Sequence, residues 1–480
     1  MSFTTLKFIL FFAAVLLGYY LLPGRVQKLW LLATSYAFYV IANGTLALLL
    51  LLGTAASYLA ARAMERWPAR RKLFLVLGVG YTLGMLFVFK YFNFFYASVA
   101  ALFGGQQGGL LELALPLGIS FFSFSVAGYL FDVARGKLSA ERDFINWAVF
   151  VAFFPTLLSG PIGKAREFLP QLARPVRWDA LAVRRGLLRF VWGAFKKMVL
   201  ADTLAQAVNT AWADPSAISG GAMLAAVLLY SLQLYFDFAA YSDMAVGTAQ
   251  MLGLCIQENF RAPYFSRSIK EFWKKWHRSL IDWFREYLYF PLGGSRKGTA
   301  RTRLNVLIVF LVSGLWHGAA VTYLVWGLIN GLYQVVGSMT EAPRRRLRDR
   351  LHIREESPVL AVWQAVCVFL LLSAARIFFR AGSMDSAVYV IKHILLILRD
   401  GVGAADVALL LTGRQAILLG VCLIPCIWED VCIARGRAQP DPARSGFRFW
   451  GAITVLLLMI AVFGIYGEGF DAQEFVYFRF

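Results

Sequence analysis

Four histidines are the residues best suited to proton transfer in this chain, and their surroundings are unequal. His352 falls in a basic loop and His393 in a short amphipathic segment, where a surface imidazole needs no special role. His317 stands inside a run, residues 305–336, that holds no Asp, Glu, Lys or Arg. An ionisable group in so apolar a run is costly unless it is paired or faces a cavity, and such groups mark functional sites. The plainer reading is a neutral imidazole hydrogen-bonded between helices. His277, between Trp276 and Arg278, reads either as an anchor of an interfacial helix or as part of an entrance to a site. Asp237 and Asp243 lie in a second apolar segment that continues to Met251. They read as helix-bridging carboxylates, with Asp237 and Tyr241 at the i, i+4 spacing that lets two side chains meet.

Other chemistries find no support. No metal-ligand spacing surrounds His277 or His317, and there is no serine nucleophile elbow, phosphate-cradling glycine loop or dinucleotide fingerprint. The five cysteines, mostly in apolar stretches and without CxxC pairing, read as small buried hydrophobes with no disulfide framework.

The elements that must hold these residues are set by a lipid solvent. The 480 residues are 59% hydrophobic and 16% charged, and the apolar residues come in repeated blocks between residues 8 and 466. Each block approaches the roughly 20 residues that cross a hydrocarbon core. One all-α membrane domain, residues 1–480, follows. The net charge of +20 would suggest nucleic acid in a soluble protein. Here the Lys and Arg residues occupy the short connections, as cytoplasmic loops of membrane proteins do, so no nucleic-acid partner is expected. Clusters at residues 62–72, 261–303, 344–350 and 435–448 are expected inside, which places both termini outside. The N-terminal block, residues 8–22, lacks a clear cleavage site and reads as the first span rather than a signal peptide.

Run 305–336 is flanked by basic residues on both sides yet is too short for two full spans, so a re-entrant hairpin is expected. Its bend falls at Gly318, Ala319 and Ala320, just after His317, where irregular backbone must be buried in protein or line a wet cavity. Over residues 272–287 the period becomes that of one amphipathic helix lying in the cytoplasmic interface. Trp273, Trp276, Leu280, Phe284 and Tyr287 share one face and Lys274, Arg278 and Arg285 the other, with His277 at the edge.

These segments resemble the membrane-bound O-acyltransferase (MBOAT) family, in particular its bacterial alginate and peptidoglycan O-acetyltransferase branch, to which a teichoic-acid D-alanylation protein is related. The matching stretches are LPLGISFFSFSVAGYLFDVARG (115–136), FFPTLLSGPIGKAREFLPQL (153–172), GAFKKMVLAD (193–202) and LYFDFAAYSDMAVG (234–247). ENFRAPYFSRSIKEFWKKWHRSLIDWFREYLYFPLGGSR (258–296) and GLWHGA (314–319) complete them. Ala239 and Ala240 depart from a Ser-Gly pair frequent in that family.

The resemblance implies a polytopic transmembrane fold of about 10–12 membrane helices, plus re-entrant and interfacial helices, around a central funnel. It implies His317 as the catalytic histidine and His277 as a second one at the cytoplasmic mouth. No bound cofactor is implied; the acyl donor is acetyl-CoA, a substrate, whose phosphates would meet Arg267, Lys270, Lys274, Lys275 and Arg278. The acceptor would be an extracytoplasmic polysaccharide, reached through a periplasmic SGNH-type acetyltransferase partner, with the protein in the bacterial inner membrane and the lipid bilayer as its surroundings. The tail, residues 466–480, ends in EFVYFRF, similar to an aromatic C-terminal motif of that branch. Tyr477 matches the position of a proposed acyl carrier there, its alternative being an aromatic anchor at the outer interface. A reading in another class is a transporter with a broken helix and intramembrane Asp237 and Asp243, against which stands the lack of inverted-repeat symmetry. An acyltransferase acting on a lipid or a protein is the third.

Overall fold

A computed structural model describes residues 1–103, 111–401, 408, 410–437, 441–466 and 475. Among them the chain is helical and forms no strand. Six helical stretches are long and apolar enough to cross a membrane: Gly24–Arg66, Pro68–Leu102, Gly220–Met251, Pro358–Arg380, Gly413–Ala434 and Gly446–Phe463. Gly44, at a φ of 55°, divides the first into helices Gly24–Asn43 and Ala47–Arg66. Leu6–Leu21 and Ile119–Ala134 are apolar but shorter. The chain is a multi-pass membrane protein, and its outer helices show why: Leu17, Val359, Ile417, Phe447 and Val462 stand exposed on faces that only lipid can cover.

Among the six long stretches Gly220–Met251 differs because most of it is buried, so the others pack around it. Helix Ala180–Phe195 lies along it at close range. A methyl group on Gly186 or Gly193 would meet the carbonyl of Gly247 at 2.6 Å or of Ala240 at 2.7 Å. Small residues are what allow two helix backbones this near within a membrane.

Close packing is joined by ion pairs along the same seam. Arg189 donates to Asp243 (3.1 Å) and Glu258 (2.7 Å). After it the helix widens into a π turn, Lys196–Ala201. Lys196 Nζ then reaches Asp243 (3.0 Å) and Glu429 (2.9 Å), while Lys197 Nζ reaches Asp237 (2.7 Å) and Asp202 (2.9 Å). Asp237 is thus neutralised by Lys197, since a buried carboxylate gains much from a cation. Both intramembrane carboxylates of this helix are held in ion pairs, the helix-bridging role expected of them.

Lys197→Met leaves Asp237 and Asp202 buried together without their shared cation. Such a loss costs about 3–5 kcal/mol, so a clear drop in melting temperature in detergent is expected. Adding Asp237→Asn should recover part of that drop, and strictly additive losses would contradict the pairing.

Candidate functional site

A helical hairpin bends after His317 as expected, but the premise for re-entrance, too few residues for two spans, is corrected, because the arms are longer than the charge-free run suggested. Helices Thr299–His317 and Val321–Met339 are each 19 residues long, about 28 Å at 1.5 Å per residue. The first arm begins among Arg301 and Arg303, so its cationic end adds length that a search for uncharged residues leaves out. The arms cross at two glycines. A Cβ on Gly314 would strike the carbonyl of Tyr323, and one on Gly327 the carbonyl of Phe310. Residues Gly318 and Ala320 are extended and break the helix immediately after His317.

His317 is therefore the last residue of a helix, at a point where carbonyl groups have lost their helical partners. Lys90 meets this need. Its Nζ donates to the carbonyl of Trp316 (2.7 Å) and to Ser120 Oγ (3.1 Å). Like Lys196, Lys90 sits in a π turn, Phe87–Tyr91. The imidazole of His317 is packed edge-on against the rings of Trp316 (4.9 Å), Trp326 (5.0 Å) and Phe379 (5.3 Å). Only 4% of His317 is exposed.

The ring lines a cavity walled by Trp273, Trp276, Trp326 and Phe379, with Asn330 and Arg376 as further polar groups. Its free space, about 10 Å³, holds the centre of roughly one water molecule. The cavity expected at the bend is thus small in this conformation, because aromatic side chains fill most of it.

The reading of residues 272–287 as one interfacial helix is corrected. The chain forms two short helices, Ile269–Lys275 and Arg278–Phe284, separated at His277, which takes a left-handed conformation (φ 45°). The break is braced from outside the helix. Asn259 accepts from the Arg278 amide (3.0 Å) through its carbonyl and from Ser279 Oγ (2.7 Å) through its side chain, and the Arg261 amide donates to Lys275 (3.0 Å). The expected aromatic face is buried, as its spacing required. His277 does not lie at the edge of that face but is 1% exposed, with Phe238 at 4.7 Å and Trp316 at 5.9 Å. Both histidines therefore flank the indole of Trp316.

The five cations expected to meet phosphates are placed apart from the cavity. Arg267, Lys270 and Lys274 are exposed, Lys275 pairs with Glu271 (2.7 Å), and Arg278 is half-buried. None of them lines the cavity beside His317. Tyr477 lies outside the described residues. Phe475, two residues earlier, is buried in the interior, edge-on to Tyr241 (5.0 Å) with Lys197 Nζ 4.6 Å from its ring centre. Lys90, Asn330 and Arg376 were not anticipated. Lys90 and Arg376 are lone cations within apolar blocks, the signal that singled out His317.

Comparison with known proteins bears on the same residues. The MBOAT, membrane-bound O-acyltransferase, family matches residues 133–380, a little over half of the chain, and that segment contains both His277 and His317. The chain belongs to this family. It is an acyltransferase of the membrane. Among its MBOAT relatives is a probable alginate O-acetylase AlgI of Pseudomonas putida, 41% identical over 346 residues, covering 70% of each chain. A peptidoglycan O-acetyltransferase of Helicobacter pylori is 32% identical over 426 residues, 81% of this chain and 79% of the relative. A teichoic acid D-alanyltransferase of Bacillus subtilis is 31% identical over 229 residues, 45% of this chain and 57% of the relative.

Three of the segments that carry the MBOAT resemblance are tied together by one ionic cluster. Glu286 accepts from Arg166 (2.8 Å) and Lys164 (3.1 Å), and Arg166 also donates to Asp132 (3.2 Å). Partial burial alone would raise the Glu286 carboxyl, but hydrogen bonds from Arg166 and Lys164 outweigh it and push it down to about 2. A carboxyl depressed in the folded state contributes stability above its ordinary value, about 4.5, and loses it as pH falls toward 2. The melting-temperature gap between wild type and Glu286→Gln is therefore expected to be constant from neutral pH to about 5 and to shrink between about 4.5 and 2. A gap that widened on acidification would contradict the assignment.

Proposed function

We propose that the protein moves an acetyl group from cytoplasmic acetyl-CoA toward a polysaccharide outside the bacterial inner membrane, with His317 as general base. The carrying observation is the position of His317, on the last turn of a broken hairpin and on the wall of a cavity, within the family segment. Alginate and peptidoglycan, the substrates in the names of the O-acetylating relatives, define the class of acceptor.

Transfer from a thioester to a hydroxyl needs a group that takes the hydroxyl proton as the oxygen attacks the acyl carbon. A neutral imidazole is suited to this at physiological pH, and the imidazolium formed can return the proton to the departing thiolate. His277, on the other side of Trp316, is assigned to the donor side of the site. Arg267, Lys270, Lys274, Lys275 and Arg278 would receive the phosphates of the coenzyme on the cytoplasmic face, as solvated cations do. Both termini are assigned to the outside by the distribution of basic loops.

The acceptor of the first transfer is read as the phenol of Tyr477. A phenyl ester stays activated, so a periplasmic SGNH-type partner could remove the acetyl group and pass it to the glycan. Supporting this, Phe475, two positions before Tyr477 in the sequence, is buried beside Tyr241 and Lys197. Entry of either substrate requires the aromatic walls to part, since the resting cavity takes about one water.

His317→Ala is expected to lower the O-acetyl content of surface glycan to the level of cells lacking the protein, with membrane abundance unchanged. In vesicles supplied with acetyl-CoA, the loss should be about 10²–10⁴-fold. Full transfer by that variant would refute the reading. Mass spectrometry of the C-terminal peptide tests the carrier: acetylation is expected in wild type and not in Tyr477→Phe, and an acetylated tail in the variant would reject Tyr477.

A further inference from the structure

Arg376 is a deep cation that no carboxylate meets among the described residues. It lies in helix Pro358–Arg380, is 4% exposed, and its Nη1 is buried without a hydrogen-bond partner. Among the described residues no carboxylate approaches it within 4 Å, whereas Arg189, Lys196 and Lys197 each hold two. A guanidinium cannot shed its proton to escape this cost. It is held in place by rings, over Trp276 at 4.9 Å, Tyr264 at 5.6 Å and Phe272 at 5.8 Å. Stacking of that kind compensates part of the charge, and Tyr264 also meets the guanidinium through a side-chain hydrogen bond, while the N–H groups on Nη1 stay available.

The same side chain lines the cavity that His317 lines. Asn330, on another wall, donates to the Trp326 carbonyl (2.8 Å), while its Oδ1 is buried without a partner. A space bounded by a base, an unmet donor and an unmet acceptor is built for a polar ligand, and its donor is permanently cationic.

We propose that Arg376 binds the acyl carbonyl oxygen and stabilises the negative charge that oxygen acquires during transfer. This rests on the thioester-to-hydroxyl reading of the site. The hydroxyl oxygen forms a bond to the acyl carbon, its proton passes to His317, and the carbonyl π pair moves onto oxygen, where an Arg376 N–H donates to it. Collapse restores the carbonyl and breaks the carbon–sulfur bond. The thiolate takes the proton from the imidazolium, leaving an ester, a free thiol and a neutral histidine. A preorganised donor in a water-poor site is effective for this task because it strengthens as charge develops.

The test uses the full-length protein in vesicles with acetyl-CoA, following release of free thiol in wild type, His317→Ala, Arg376→Lys and Arg376→Gln. Arg376→Gln is expected to lose about 10²–10³ in kcat, the usual effect of removing one such donor. Its KM for acetyl-CoA should stay within a few-fold of wild type. Arg376→Lys, which keeps the charge and carries the test if the Gln variant fails to fold, should fall between the two. Added guanidinium ion should restore turnover to Arg376→Gln but not to His317→Ala. An unchanged kcat in Arg376→Gln, or a raised KM with kcat intact, overturns the assignment while His317 remains essential. Thiol release equal in wild type and His317→Ala would instead sink the transferase reading on which it rests.

Discussion

A helix that ends inside a protein of the membrane leaves backbone carbonyls without partners, and the placement of the candidate site depends on how this chain satisfies them. The hairpin arm Thr299–His317 stops where the backbone turns extended at Gly318, and Lys90 donates to the carbonyl of Trp316 at that end. The same ammonium holds Ser120, whose carbonyl accepts from the Trp316 indole (3.4 Å). One cation therefore fixes the residue preceding His317 through both its backbone and its neighbours. The glycines at 314 and 327 then determine how closely the second arm can approach, and with it the distance from Trp326 to the imidazole.

The same device recurs elsewhere. Among the described residues each of the three π-helical turns carries a charged side chain that reaches another part of the chain: Lys90 in Phe87–Tyr91, Lys196 and Lys197 in Lys196–Ala201, and Glu286 in Arg285–Tyr289. An α-helix directs consecutive residues to different neighbours, and local widening changes that direction. Such turns are retained mostly where a side chain has a task. Here the tasks are to satisfy a helix end, to neutralise Asp237 and Asp243, and to bind Arg166 and Lys164.

Features with a local cause could be read from the residues. The bend after His317 follows from an uncharged run between basic flanks, and the buried face of Trp273, Trp276, Leu280, Phe284 and Tyr287 follows from helical spacing. The break at His277 could not be read this way. No glycine or proline marks it, and its left-handed backbone is held by hydrogen bonds to Asn259, nearly twenty residues upstream. Asp237 finds its cation on another helix, 40 positions away. Lys90 and Arg376 were readable in principle, since a lone cation in an apolar block calls for an explanation as much as a lone histidine does. Their partners, a carbonyl at one end of a hairpin and three stacked rings, exist only once the helices have assembled.

The aromatic closure around His317 bears on the membrane as an insulator. A standing aqueous path through a membrane that holds a proton gradient would carry protons down it and drain the energy that gradient stores. At rest the space beside the imidazole admits about one water molecule, bounded by indole and phenyl rings. A single water cannot form the continuous hydrogen-bonded file that proton conduction needs, so a site this narrow adds little to the leak of the barrier.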